Sequence, residues 1–178
     1  RALPVVALAV AVQGGAAGET EADAGLGALA HQALLRGAGP HAAAEYSRLV
    51  EDEGASLSPM VDRDFGGLFL TALADRLDPA LDLLAEAILE PRFDPAEIEQ
   101  ERRLALQELA AIHDNPLQTA MLRLRARLYG DHPYGRALQG TDASLAAITP
   151  DQVVARHRST WSAGRLQFTA SGDLDPDR

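Results

Sequence analysis

The stretch AGLGALAHQALLRGAG, from Ala24 to Gly39, carries the pattern on which the interpretation of the fold depends. Its apolar side chains recur at i, i+3, i+4, i+7 and i+8, which is the spacing of one buried face of an amphipathic helix. They are Leu26, Leu29, Ala30, Ala33 and Leu34. At about 100° per residue, the opposite face is expected to hold Ala28, His31, Gln32 and Leu35. We therefore predict a helix whose second face points at something other than the core of the domain.

The composition of the chain indicates one globular domain and excludes several classes of function. With 178 residues, the chain can bury about 70% of the surface that it exposes when unfolded. Acidic residues outnumber basic ones by 26 to 16, and no cluster of Lys or Arg occurs, so nucleic acids and anionic membranes are not expected partners. The absence of cysteine excludes disulfides and thiol chemistry, and leaves bacterial periplasm and cytoplasm both compatible with the chain.

The most apolar run of the chain is LPVVALAVAV, from Leu3 to Val12. It is far too short to span a bilayer. Two alternatives remain: a buried strand that ends at a turn at Gly14–Gly15, or the core of a cleavable signal peptide, with Arg1 before it and small residues behind it. The β-branched residues and the following glycines favour the strand.

Four later helices are predicted from a capping residue followed by proline at the first helical position. The four pairs are Asp78–Pro79, Asp94–Pro95, Asn115–Pro116 and Thr149–Pro150. Two of these starts also carry the partner residue of a capping box, Glu97 for Asp94 and Gln152 for Thr149.

A β-hairpin is predicted from Gly54 to Leu73, where apolar residues bracket the polar turn Asp62–Asp64. Pro59 lacks the N–H that a central strand needs, so the first strand of the hairpin should lie at a sheet edge or carry a bulge. A last strand is predicted from Leu166 to Ser171. The resulting order, one strand, two helices, two strands, four helices and one strand, predicts an α+β fold with helices covering a largely antiparallel sheet.

A helix rich in glutamate is predicted in EIEQERRLALQELAAIHDNP, from Glu97 to Pro116. Glu97, Glu101 and Glu108 follow the spacing i, i+4 and i+11 of a single helix face. The apolar residues Ile98, Ala105, Leu109 and Ile112 are expected on the opposite face. By themselves, three such glutamates are typical of a solvated helix surface.

Taken together, several segments of the chain resemble the insulinase or pitrilysin-like zinc metallopeptidases, a family that includes the mitochondrial processing peptidase. The segments occur in the family's order and are AGLGALAHQALLRGAG, EGASLSPMVDRDF, DPALDLLAEAILEPRFDPAEIEQER, QELAAIHDNP, GDHPYGRALQGTDASLAAITPDQV and SGDLD. The resemblance implies one amino-terminal half-domain over residues 1–178 that lacks the first strands of the family's sheet. The chain would then be a fragment, or a partner would cap its depleted sheet.

The resemblance also identifies the positions of the family's zinc site. The family carries an inverted His-x-x-Glu-His motif on its opening helix, where this chain has Ala28, His31 and Gln32. The third ligand of the family is matched by Glu108, and a supporting glutamate by Glu101. Ala28 offers no donor atom and Gln32 only a neutral amide, so neither catalytic residues nor a bound metal are expected. The alternative is a divergent zinc metalloendopeptidase that uses His31, Glu101 and Glu108 to cleave unfolded peptides.

The resemblance implies a substrate-binding edge as well, at Leu57, Ser58, Pro59 and Met60. In the family this strand pairs with an extended peptide through main-chain hydrogen bonds. Pro59 removes one of the donors, which weakens a peptide-binding role for this edge.

The remaining histidines do not suggest a second site. His41, His113, His132 and His157 show no ligand spacing and are expected at the surface, in caps or in loops. The most favoured function is a non-catalytic subunit, chamber wall or substrate-contacting scaffold of a zinc peptidase assembly, with a catalytic subunit or second half-domain as its partner and extended peptides as further ligands. A weaker possibility is a purely structural role within a longer chain.

Overall fold

The protein is described here by a computed structural model that covers residues 3–162 and 164–174. The strands are β1 (Val5–Gln13), β2 (Gly37–Ala38), β3 (His41–Ala42), β4 (Ser56–Val61), β5 (Phe65–Leu73) and β6 (Leu166–Gly172). The helices are α1 (Leu26–Ala33), α2 (Ala43–Asp52), α3 (Leu77–Leu89), α4 (Pro95–Asp114), α5 (Pro116–Tyr129), α6 (Asp142–Ala147) and α7 (Pro150–Thr160). Short 3₁₀ turns lie at Ala16–Gly18, Ala74–Arg76 and Pro133–Gly135.

One antiparallel sheet, with the strand order β4-β5-β1-β6, organises the fold. The apolar run of the sequence forms β1, which pairs with β5 on one side and β6 on the other. Val6, Val10 and Val12 of this strand are buried, because helices cover the face on which they lie. Arg1 and the end of the SGDLD segment lie outside the described residues. The prediction of an α+β fold with helices on an antiparallel sheet is confirmed.

The predicted hairpin is formed by β4 and β5, with the Asp62 N–H donating to the Phe65 carbonyl across the turn. β4 is an edge strand, as Pro59 predicted. The missing N–H of Pro59 therefore breaks no hydrogen bonds on the side of β4 that faces no other strand. On β5, Leu68, Leu70 and Ala72 face the helices and are buried, whereas alternate residues lie on the other face of the sheet.

Two of the predicted helix starts have their capping residues in place. Asn115 accepts hydrogen bonds from the Leu117 and Gln118 N–H groups at the start of α5. Thr149 and Gln152 form a reciprocal capping box at the start of α7. Both arrangements satisfy donors that the helix itself leaves unpaired.

The predicted start of α4 is confirmed, since Asp94 is its N-cap and Pro95 its first residue, but the predicted capping box with Glu97 is wrong because the Asp94 carboxylate accepts from Arg92 Nε and makes no capping bond. The predicted start of α3 is wrong. α3 begins at Leu77 rather than after Asp78, because the 3₁₀ turn at Ala74–Arg76 leads directly into it. Asp78 therefore lies in the first turn of the helix and is not its cap.

Short elements of the fold were not predicted from the sequence. Helix α6 starts at a capping box formed by Thr141 and Ser144. Strands β2 and β3 form a separate two-stranded ribbon between α1 and α2. Within the described ranges, no helix combines the length and the apolar character needed to cross a bilayer.

Candidate functional site

A cavity of about 230 Å³ lies between helices α1 and α4. It lies on the face of α1 that was predicted to point away from the core. Ala28 and Gln32, one turn apart on α1, line this cavity. Its other polar lining side chains are Arg36, Glu101, Glu108 and Gln139. The structure thus brings four of the positions identified from the sequence, Ala28, Gln32, Glu101 and Glu108, into one place.

His31 does not belong to that group. Its side chain is buried, with 2% exposure, and its Nδ1 lies 2.7 Å from the Gly27 carbonyl oxygen, to which it donates. The ring occupies the space above Gly66 of β5, where an added Cβ would lie 2.3 Å from His31 Nε2. The expectation that His31 lies opposite the buried face is wrong, because Gly66 leaves room for an imidazole ring between α1 and the sheet.

The surroundings of His31 favour its neutral form. Its ring centroid lies 5.7 Å from that of Trp161, and its Nε2 has no hydrogen-bond partner among the described residues. Burial lowers the pKa of His31, and the positive charges of Arg156 and His157 lower it further. We conclude that His31 is a packing residue, held against Gly66 and Trp161 and not among the residues that line the cavity.

The two glutamates of α4 in the cavity have different environments. Glu101 is buried, with 5% exposure, and its Oε1 accepts from Nε of Arg36. Glu108 is exposed and has no ion-pair partner among the residues that the structure describes. The expectation of a solvated glutamate face is therefore wrong for Glu101. The apolar residues of α4 were expected on the face opposite the glutamates. Instead, the buried Ile98 and Leu109 lie on the side of the helix next to the glutamates.

This set of side chains does not fit a zinc ion. Catalytic zinc takes three protein ligands, mostly His nitrogens and carboxylates. Ala28 has no donor atom, the His31 ring is packed against Gly66 and does not line the cavity, and the charge of Glu101 is already balanced by Arg36. Within residues 3–162 and 164–174, no three His, Cys, Asp or Glu side chains lie close enough together to hold a metal ion.

A buried carboxylate that the sequence analysis missed holds the start of α1. Glu19 accepts hydrogen bonds from the N–H groups of Gly25 and Gly27, at 2.9 and 2.7 Å. Burial raises the pKa of Glu19, while these two hydrogen bonds and Arg156 act in the opposite direction. An anion at this helix end is favoured by the helix dipole. No sequence signal identifies Glu19, because it lies several residues before the helix and outside any capping motif.

Arg36 and Gln139 are further cavity residues that the sequence analysis did not identify. Arg36 follows α1 and reaches back to Glu101, which is distant in the chain. Gln139 comes from the loop before α6. Neither has a local pattern that points to the cavity, since their roles depend on which elements pack together.

The proposed peptide-binding positions lie on the open edge of the sheet. Leu57 packs against the core, Ser58 is exposed, and Pro59 and Met60 are half-buried. β4 packs beside α1, but none of these four residues lines the cavity. The structure therefore places this edge next to the cavity without joining the two.

Three of the remaining histidines lie where they were expected. His132 caps a 3₁₀ turn by accepting from the Tyr134 N–H at 3.2 Å. His41 lies 3.3 Å from Glu45, one helical turn away, and His113 is exposed.

His157 differs from its prediction as a surface, capping or loop residue. Its Nε2 lies 2.9 Å from the Ile88 carbonyl oxygen, and its ring meets Phe93 edge-on at a centroid distance of 5.2 Å. Burial lowers the pKa of His157. The residue links α7 to the end of α3, a contact that depends on tertiary packing and leaves no trace in local sequence.

Comparison with known proteins places this geometry in context. The family model described as Insulinase (Peptidase family M16) matches residues 2–142. An uncharacterized zinc protease of Mycobacterium leprae is 27% identical over 81% of this chain and 32% of its own length. The mitochondrial-processing peptidase subunit beta of Dictyostelium discoideum is 22% identical over 98% of this chain and 37% of its own length. The chain thus spans about a third of the length of these curated relatives.

Solved structures show the same fold. A peptidase M16 inactive domain from Pseudomonas fluorescens superimposes with a TM-score of 0.91 at 28% identity, covering 99% of this chain and 43% of that one. A protease from Helicobacter pylori gives a TM-score of 0.90 at 18% identity, over 99% of this chain and 43% of its own. The second likeness concerns the fold alone.

Proposed function

Because the chain belongs to the insulinase family of peptidases, peptidase family M16, we propose that it is a non-catalytic domain of that family. Its role is that of a subunit, chamber wall or substrate-contacting scaffold in a zinc peptidase assembly. The observation that carries the proposal is the donor set of the α1–α4 cavity. Ala28 and Gln32 stand at the two histidine positions, and His31, at the position of the general base, is packed against Gly66.

The chemistry of the cavity supports this role. A zinc peptidase needs a metal-bound water and a carboxylate that takes its proton. Here the base position holds an imidazole that is packed against Gly66 and does not line the cavity, and Glu108 remains without a second and third ligand. The likeness to a solved M16 domain described as inactive supports the same interpretation.

The partner proposed for this domain is a catalytic insulinase-family subunit or a second half-domain. The aligned part of this chain corresponds to about a third of the length of these curated relatives, so a further domain or subunit as partner is compatible with the comparison. Extended peptides remain candidate ligands at the β4 edge, where Pro59 withholds one main-chain donor.

The second candidate, a divergent zinc metalloendopeptidase that uses His31, Glu101 and Glu108, is supported by the name zinc protease that several relatives carry. The geometry opposes it. His31 is packed against Gly66 and does not line the cavity that Glu108 lines, and Arg36 would have to leave Glu101 before that carboxylate could bind a metal.

The test is hydrolysis of an unfolded protein, such as reduced and alkylated lactalbumin, in micromolar zinc with and without 1,10-phenanthroline. We expect no chelator-sensitive cleavage, and the same background from the wild type and from Glu108→Ala. The matched control is Glu97→Ala, on the same helix but outside the cavity. Cleavage that stops on chelation and is lost in Glu108→Ala, but not in Glu97→Ala, would overturn the proposal.

A further inference from the structure

Helix α5 exposes an apolar stripe that nothing in the described chain covers. Leu117, Met121, Leu124 and Leu128 are 72%, 52%, 59% and 73% exposed. Their spacing of i, i+4, i+7 and i+11 places them on one face of the helix. α5 is attached to the fold by its other face, where the Thr119 hydroxyl donates to the Ile112 carbonyl at 3.1 Å. A continuous exposed apolar surface of this kind is typical of an interaction site.

The stripe forms one wall of a long groove. A cavity of about 370 Å³ lies between α5 and the β4–β5 turn, and another of about 580 Å³ lies between α4 and α5. Met121, Arg63 and Arg125 line both cavities, so the two adjoin along α5. The second cavity ends at Glu108 and Gln139, which also line the cavity beside α1.

The groove carries arginine side chains of α5, one of which has no ion-pair partner among the described residues. α5 contains Arg123, Arg125 and Arg127 and no acidic residue, although the whole chain has a net charge of −10. Arg125 is half-buried at the middle of the groove and has no hydrogen bond or ion pair with any described residue. The groove therefore offers an unpaired cation within a largely apolar lining.

The neighbouring carboxylates of the groove do not neutralise Arg125. Asp62 lies 3.8 Å from the guanidinium of Arg63, and Asp64 accepts from the Tyr134 hydroxyl. Glu108, at the other end of the groove, forms no ion pair within the described part of the chain.

We propose that this groove binds a segment of a partner protein that carries leucine-like side chains with a carboxylate beside them, and that the carboxylate pairs with Arg125. The apolar side chains of the segment would cover the stripe, and the ion pair would fix its register. The inference rests on the proposed function, because a non-catalytic domain acts by associating with another protein.

Two other occupants fit the charges less well. If two copies of this chain packed through their apolar stripes, the arginines of the two α5 helices would face one another. Neither helix contains an acidic residue that could balance these charges. An anionic membrane would meet Asp62, Asp64 and Glu108 along the groove, which repel lipid phosphates. A protein segment with a single acidic position avoids both conflicts.

The test uses two fluorescein-labelled synthetic helical peptides with the same leucine spacing, one with glutamate and one with lysine at the positions flanking the leucines. We expect fluorescence polarisation to show at least tenfold tighter binding of the glutamate peptide. Arg125→Glu should remove this preference, and Leu128→Ser should weaken both peptides. Arg48→Glu is the matched control, because it makes the same charge change at an exposed position on α2.

Equal affinity for the two peptides, or a preference that survives Arg125→Glu, would overturn the inference. So would binding to phosphatidylglycerol vesicles that exceeds binding to the glutamate peptide, or a dimer in sedimentation that Leu128→Ser dissolves. These results are separable from the proposed function. Hydrolysis that depends on Glu108 contradicts the non-catalytic role whatever the peptides do, and a failed peptide preference without hydrolysis contradicts the groove alone.

Discussion

At the scale of single residues, Gly66 determines where the His31 ring lies. With no Cβ on β5 at this position, the ring fits between helix and sheet and leaves the cavity to Ala28 and Gln32. Gly66→Ala would place a methyl group 2.3 Å from His31 Nε2, so we expect a loss of about 1–3 kcal/mol in the free energy of unfolding. Urea denaturation of the variant measures it.

The control for this prediction is Gly18→Ala, where an added Cβ meets nothing within 4 Å. Combining Gly66→Ala with His31→Ala should remove the clash, so the double variant should lose less stability than the sum of the two single variants. Additive losses would show that His31 is not the group that Gly66 accommodates.

Two histidines, the buried His31 and the half-buried His157, also predict how stability depends on pH. Burial lowers the pKa values of His31 and His157 below 6.5, so the folded state binds fewer protons than the unfolded state in the window below pH 6.5. Their stabilising contribution is complete above pH 6.5 and is lost as the pH falls through the lowered values. Each residue contributes a slope of at most about 1.4 kcal/mol per pH unit.

Glu19 acts in the opposite sense. Its raised pKa makes the folded state bind more protons than the unfolded state between about pH 4.5 and that raised value, so its stabilising contribution falls as the pH rises through this window. The Glu19 contribution is the same in the wild type and in the histidine variants, so it cancels when they are compared at the same pH. His31→Gln and His157→Gln should each flatten the loss of stability between pH 7.5 and 5.5, and His113→Gln, at an exposed position, should not. Unchanged slopes in both His31→Gln and His157→Gln would refute the assignment.

At the scale of secondary-structure elements, the helix starts show which parts of a sequence determine structure locally. Asn115 caps α5 with two hydrogen bonds, whereas Asp94 stands at the start of α4 and bonds to Arg92 instead. We expect Asn115→Ala to cost about 1 kcal/mol in the free energy of unfolding, and Asp94→Ala clearly less, since only an exposed ion pair is lost. Equal losses in thermal or urea unfolding would show that the caps are equivalent.

The same contrast explains how much of the fold the sequence predicts. β1, the hairpin, the helices and the edge position of Pro59 follow from apolar period, turn residues and proline geometry, all of which are local. β2, β3 and α6 are too short to show a period. Glu101 and His31 were misassigned because their burial depends on Arg36 and Gly66, which reach them only after the elements pack. The sequence thus predicts which residues lie on one helix, but it does not predict what surrounds each side chain in the folded protein.

At the scale of the whole molecule, the chain has the fold of its family. Helices cover one face of a four-stranded sheet, and α1 and α4 meet at the cavity that Glu108 lines. In that cavity the Arg36 guanidinium pairs with the buried Glu101. The remaining surface feature, the groove along α5, points outward from the same cavity and offers a partner a place to bind.

The most direct measurement is zinc content by elemental mass spectrometry after dialysis against micromolar zinc and then zinc-free buffer. We expect close to zero zinc per wild-type chain, and close to one in Ala28→His combined with Gln32→His, because two histidines one turn apart complete a site with Glu108. Adding Glu108→Ala to that pair should abolish the binding. One zinc per wild-type chain, lost in Glu108→Ala, would contradict the non-catalytic assignment.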